Sequence, residues 1–119
     1  MQIRNAIIDS TIITNDYYGS LTIWIVCKYG GARQRFGYGL YLPKSFRHNS
    51  MKDSGNDAGH FIWRVMEVAE VKEWKELIGK SIRVKAEHEK IYEIGHITKE
   101  IWFNPEKEFN LIKSSITNK

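Results

Sequence analysis

At 119 residues the chain has the length of one domain, since two cores would leave each half at about 60 residues and marginal. Hydrophobic residues at 42% and aromatics at 13% suffice for one packed core, while 27% charge and 2 prolines argue against a disordered chain. No apolar run approaches the roughly 18 residues of a membrane span. The start Met1-Gln2-Ile3-Arg4-Asn5 lacks the basic-then-apolar layout of a secretory leader, and the single cysteine, Cys27, excludes an internal disulfide and a cysteine-rich zinc site. A soluble, intracellular, single-domain protein over 1–119 is expected. The net charge of +4 is unevenly placed: no acid lies between Asp16 and Asp53, a stretch that holds Lys28, Arg33, Arg35, Lys44, Arg47 and Lys52. Gathered on one face, these side chains would present a positive field to phosphates; the plainer reading is a solvated face with acids supplied from elsewhere in the fold.

In chain order, Ile3 to Thr14 is rich in Ile and Thr and reads as a strand, and Asp16 to Ser20 as a turn. Leu21 to Tyr29 is a strand apolar on both faces, with Leu21, Ile23, Ile25 and Cys27 on one and Trp24 and Val26 on the other, which predicts a central or doubly covered position. Gly30-Gly31 signals a hairpin into Ala32 to Leu42, whose faces differ: Gln34, Phe36, Tyr38 and Leu40 against Arg33, Arg35, Gly37, Gly39 and Tyr41. Ser45 to Asp57 is a polar loop. Helical spacing follows at Ala58, Phe61, Ile62, Val65, Met66, Val68 and Ala69, with Asp57 at the N-cap, and a second helix is expected over Val71 to Leu77 with Gly79 as its stop. Strands resume over Ser81 to Ala86 and Ile91 to Thr98 around a turn at 87–90. The resulting expectation is an α+β fold: an antiparallel sheet of about five strands, with two helices inserted between strands 3 and 4 and packed on one side.

Motifs for catalysis or metal binding are thin. Gly79-Lys80-Ser81 resembles the end of a phosphate loop, but the spacing requires Gly where Trp74 stands, and the order is helix to strand. His48, His60, His88 and His96 show no metal-ligand spacing, and Cys27 in an apolar strand is inert packing, so no catalytic residue, metal or cofactor is expected. Two segments stand out. Arg35-Phe36-Gly37-Tyr38-Gly39-Leu40-Tyr41 is a basic, aromatic, glycine-rich strand of the kind that stacks on bases, and its glycines would let a planar group or another backbone approach; alternatively they mark a bend in the sheet. Ile94-Gly95-His96-Ile97 followed by Trp102-Phe103-Asn104-Pro105 either contacts a ligand or docks the terminus on the core or on a second subunit.

An ordered set of these features resembles the first family of phage Thoeris anti-defence sponge proteins. It comprises Tyr18-Gly19-Ser20-Leu21-Thr22, Gln34-Arg35-Phe36-Gly37, the stretch from Trp74 through Leu77, Gly79 and Lys80 to Arg83-Val84, and Ile94-Gly95-His96-Ile97 with Trp102-Phe103 and Pro105. The resemblance implies a non-enzymatic, phage-encoded protein of the host bacterial cytoplasm that sequesters a cyclic ADP-ribose isomer, with cyclic oligonucleotides as further ligands, and that assembles as a dimer or higher oligomer such as a hexamer. For such a ligand, Phe36, Trp102 and Phe103 are the expected stacking rings, Arg35, Arg47 and Lys107 the phosphate partners, Gln34 and His96 the readers of polar edges, with Gly37 and Ile97 beside them. Two rivals stand next to it: a basic nucleic-acid-binding module built on the aromatic strand, and a protein that acts by protein contact alone.

Overall fold

The structure, a computed structural model, describes residues 2–17, 20–41, 57–87 and 90–109, of which 16, 17, 20 and 38–41 by backbone alone. β1 (Gln2–Tyr17), β2 (Ser20–Tyr29) and β3 (Ala32–Tyr41) form a meander. α1 (Asp57–Ala69) and a 3-10 turn (Trp74–Leu77) precede β4 (Ser81–Glu87), β5 (Lys90–Gly95) and a two-residue β6 (Trp102–Phe103). Every neighbouring pair in the order β3-β2-β1-β4-β5-β6 is antiparallel.

β1 holds the sheet together by pairing twice. Its first half, Gln2 to Ile7, pairs with β4, and Ile7 to Tyr17 pairs with β2. A bulge at Asp9, where Ile8 faces Cys27 and Ser10 faces Val26, switches the strand's inward parity. Ala6 and Ile8 point into the core before it; after it Thr11 does, accepting a hydrogen bond from Trp74 Nε1 at 3.1 Å. Gly30 and Gly31 both take positive φ, 56° and 77°, the backbone of a two-residue hairpin turn whose twist matches the flanking strands.

The sheet curls until β3 and β5 approach each other without pairing, and α1 fills the concavity. Phe61, Val65 and Val68 of α1 are fully buried against Ile23 and Ile25 of β2, Ile82 and Val84 of β4, and Ile94 of β5. α1 ends in a Schellman arrangement: Val71 donates to Met66 O at 3.0 Å and Glu70 to Glu67 O at 3.2 Å, with Glu70 at φ 59° where glycine is usual.

The fold is therefore mixed α and β with an antiparallel sheet, and it departs from the expected detail in three places. There are six strands among the described residues, because the aromatic tail adds β6 to β5 and the last long strand stops at Gly95. The helix expected over 71–77 is a single 3-10 turn, held by a capping box in which the Glu73 and Glu76 side chains satisfy each other's backbone amides. α1 touches β2 through β6, so it plugs a curled sheet rather than lying on one side of an open one. After β6, Asn104 caps a helical turn over 105–109 through Lys107 N to Asn104 Oδ1 at 3.0 Å, with Pro105 in the first-turn position that suits its missing amide. The polar loop over 45–56, and Arg47 and His48 with it, lies outside the described residues.

Candidate functional site

The alternating directions of the strands make β3 and β5 run parallel where they face each other. Between them opens a cleft of about 1160 Å³. One wall is β3 from Arg33 to Gly37 with Trp24 of β2 behind it; the other is Lys90, Ile91 and Tyr92 of β5; Glu87, Pro105 and Glu106 complete it. A smaller pocket of about 560 Å³, lined by Gln2, Arg4, Tyr29, Gly30, Ala32 and Ala86, shares Gln34 and Glu87 with the cleft. The start of β3 therefore lies at the Glu87 end, and Pro105 and Glu106 at the far end.

The cations of this region rest on aromatic faces. The Arg35 guanidinium lies 5.6 Å from the Trp24 ring centre, Lys90 Nζ 4.8 Å from Tyr92, and Arg4 5.3 Å from Tyr29. Arg33 donates to Asp9, the bulge residue of β1, at 2.9 Å. Arg35 and Lys90 have no carboxylate partner among the described residues. A cation held over a ring keeps its free N–H groups oriented while the ring offers a stacking surface, which suits an anion bearing a planar group.

Only part of the expected ligand set reaches this cleft. Gln34 and Arg35 line it, and so does Gly37, whose φ of 138° brings its backbone against β2: an added Cβ would stand 1.9 Å from Ile23 O. That close approach is between strands, so Gly37 serves the sheet. Phe36 also lines the cleft, but its ring is packed into the core. It is 2% exposed, stacked on Phe61 at 5.5 Å and edge-on to Phe103 at 5.9 Å, within an aromatic core that also holds Phe109. Phe103 is fully buried there too, so neither ring offers a free stacking face.

His96 is likewise committed. Its Nδ1 accepts the amides of Thr98 at 3.1 Å and Lys99 at 2.9 Å, which leaves the proton on Nε2, 3.1 Å from Glu70 Oε1. Lys99 Nζ also reaches Glu70, at 2.6 Å, and these hydrogen bonds hold the Glu70 carboxyl below its ordinary pKa. Ile97 is half-buried in the same bend. Trp102 lies on the outer sheet face against Gly95, where a Cβ would meet its ring at 2.5 Å. Arg83 and Lys85 sit 4.6 and 4.3 Å from its ring centre, and Trp102 Nε1 donates to Glu100 at 2.7 Å. Lys107 is exposed on the 105–109 turn and does not line the cleft.

Arg64 clamps that turn. It donates to both Glu108 oxygens and to Trp102 O at 2.6 Å, pairs with Glu67, and lies 5.3 Å from the Phe103 ring. His60 Nε2 lies 2.8 Å from Glu108, 48 residues away, a contact that no sequence spacing reports. Burial alone would raise the Glu108 carboxyl, but the hydrogen bonds from Arg64 and His60 outweigh it and hold the group below its ordinary pKa. Burial pushes the Cys27 thiol up to about 12, so it stays protonated and unreactive.

Trp24, Lys90, Tyr92, Glu87 and Glu106 were not singled out as site residues by sequence. Lys90 and Tyr92 sit two apart on one strand face, a local signal, but only the curl of the sheet carries them to β3. Among the described residues, no helix is long and apolar enough to cross a membrane. Comparison with protein-family models, curated proteins and solved structures finds no match.

Proposed function

We propose that this chain binds a nucleotide of the cyclic ADP-ribose class and sequesters it unchanged, acting as a phage anti-defence protein of the bacterial cytoplasm against Thoeris signalling. The observation that carries the reading is the β3–β5 cleft, in which Arg35 over Trp24 and Lys90 over Tyr92 set two cations, without a carboxylate partner among the described residues, beside two rings. A pyrophosphate takes the cations and a purine takes a ring face. Among the described residues, the thiol and the imidazoles have other commitments: Cys27 is a buried thiol, and His60 and His96 are tied to Glu108 and Glu70. Oligomers belong to the same proposal. Trp63 stands 71% exposed on α1, a large apolar surface suited to a second copy of the chain.

Calorimetry with cyclic ADP-ribose isomers, followed by heat denaturation and mass analysis of the released ligand, tests the reading. Binding is expected, with intact ligand recovered. Arg35→Ala and Lys90→Ala are each expected to weaken binding about tenfold or more, since a charge-assisted hydrogen bond is lost, and to leave the melting temperature unchanged. A linear product, or no binding, overturns it.

A second reading has its own observation. The outer sheet face displays Trp24 with Arg35, and Trp102 with Arg83 and Lys85, a pattern suited to single-stranded nucleic acid. Affinity for an oligonucleotide that falls steeply with salt, with no affinity for cyclic ADP-ribose isomers, would favour it.

A further inference from the structure

Two carboxylates stand in the cleft that anion binding alone does not explain. Glu87 lies at one end, where the cleft meets the smaller pocket, and Glu106 lies at the other beside Pro105. Neither has an ion-pair or hydrogen-bond partner among the described residues, although Lys90 stands opposite Glu87 across the β4–β5 register. In a site for a plain polyanion both would repel the ligand and weaken binding. A carboxylate becomes favourable only where the ligand brings donors to it, and as an acceptor with two oxygens it matches adjacent hydroxyls. Because Arg33 is paired with Asp9, the charges left along the cleft run from Glu87 through Lys90 and Arg35 to Glu106. Ribose, pyrophosphate, ribose carries the complementary sequence: donors, anion, donors.

Resting on the cleft reading above, we propose that Glu87 and Glu106 are the specificity-determining residues of this site. They accept hydrogen bonds from the ribose hydroxyls of the bound nucleotide, so the cleft takes ribonucleotides and rejects both deoxy analogues and bare polyphosphate. Gln34, which lines both pockets and whose Oε1 accepts the Tyr29 hydroxyl, flanks Glu87 with a neutral side chain and leaves the carboxylate as the anionic acceptor at that end.

The test compares cyclic ADP-ribose, its 2′-deoxy analogue and tripolyphosphate by calorimetry, on the unaltered chain, Glu87→Gln, Glu106→Gln and the double variant. The unaltered chain is expected to prefer the ribo ligand about tenfold or more, the scale of one hydrogen bond to a charged group. The double variant is expected to lose that preference and to bind tripolyphosphate more tightly, with its melting temperature unchanged because both groups are exposed. A purely structural role would move neither the ribo-to-deoxy ratio nor the tripolyphosphate affinity. Equal affinity for ribo and deoxy ligands on the unaltered chain overturns the proposal while leaving the cleft reading intact, and so does a preference that survives in the double variant. If Arg35→Ala binds as tightly as the unaltered chain, or if cyclic ADP-ribose fails to bind at all, the cleft reading itself fails and this inference with it.

Discussion

Phe36 and Arg35 are adjacent in β3 and point to opposite sides, so a single strand supplies both the core and the cleft. The inward ring of Phe36 packs on Phe61 and Phe103, whereas the Arg35 guanidinium lies outside over Trp24. Phe36→Ala is therefore expected to cost about 3–5 kcal/mol, the range for deleting a buried ring. Denaturant unfolding monitored by circular dichroism measures it; a loss below about 1 kcal/mol would show that the ring is not part of the core. Gly37 follows for a separate reason: at φ 138°, with no room for a Cβ against Ile23 O, it lets β3 lie close to β2 and keeps Arg35 on the Trp24 side.

Between elements, the contact that orders one end of the cleft is polar. The 105–109 turn brings Pro105 and Glu106 to the cleft and is anchored to α1 through Glu108, Arg64 and His60. Because Glu108 is held below its unfolded pKa, its contribution to stability is present above the ordinary carboxylate range and is lost as pH falls through the lowered folded value. Glu108→Gln removes the charge and is expected to cost about 1–2 kcal/mol near neutral pH, discounted from a buried pair because the group is partly exposed. Melting curves from pH 7 down to about pH 3 should show the gap between the unaltered chain and Glu108→Gln closing as acid protonates Glu108. A gap that stays constant over that range would remove the carboxylate's charge from the account of the anchor.

For the whole molecule, the curl of the sheet produces both a filled interior and an open seam, since α1 occupies the concavity and β3 faces the start of β5 without pairing to it, while the end of β5 pairs with β6. Large apolar side chains remain outside: Ile3 at 56%, Ile7 at 49%, Trp63 at 71% and Ile78 at 58% exposed. A second copy covering Trp63 is the proposed use of that surface. Light scattering at micromolar concentration should therefore give a mass that is a multiple of 13.9 kDa, and Trp63→Ser should lower it without changing the far-ultraviolet spectrum. A 13.9 kDa monomer in the unaltered chain would end the oligomer proposal.

Much of the local architecture was legible in the sequence because it rests on local chemistry. Two unlike faces mark β3 and β4, a run apolar on both faces marks β2, helical spacing from Ala58 to Ala69 marks α1, and the paired glycines mark the hairpin turn. Arg35 and Gln34, expected from the sequence to contact a ligand, both line the cleft. The fate of the rings and histidines was not legible. Phe36, Trp102 and Phe103 look alike in sequence, but the sheet's curl buries Phe36 and Phe103 against α1 and leaves Trp102 on the outer face. His96 looks like an available reader of polar edges, yet two amides three residues or fewer downstream and Glu70 from the end of α1 use up both ring nitrogens. Glu87, Lys90, Tyr92 and Glu106 lie some 50 to 70 residues from β3, and closure of the sheet alone brings them to one cleft. Hydrophobic periodicity reports which face of an element is buried, but not which other element lies beside it, and that pairing depends on a sheet twist and curl that no short segment encodes.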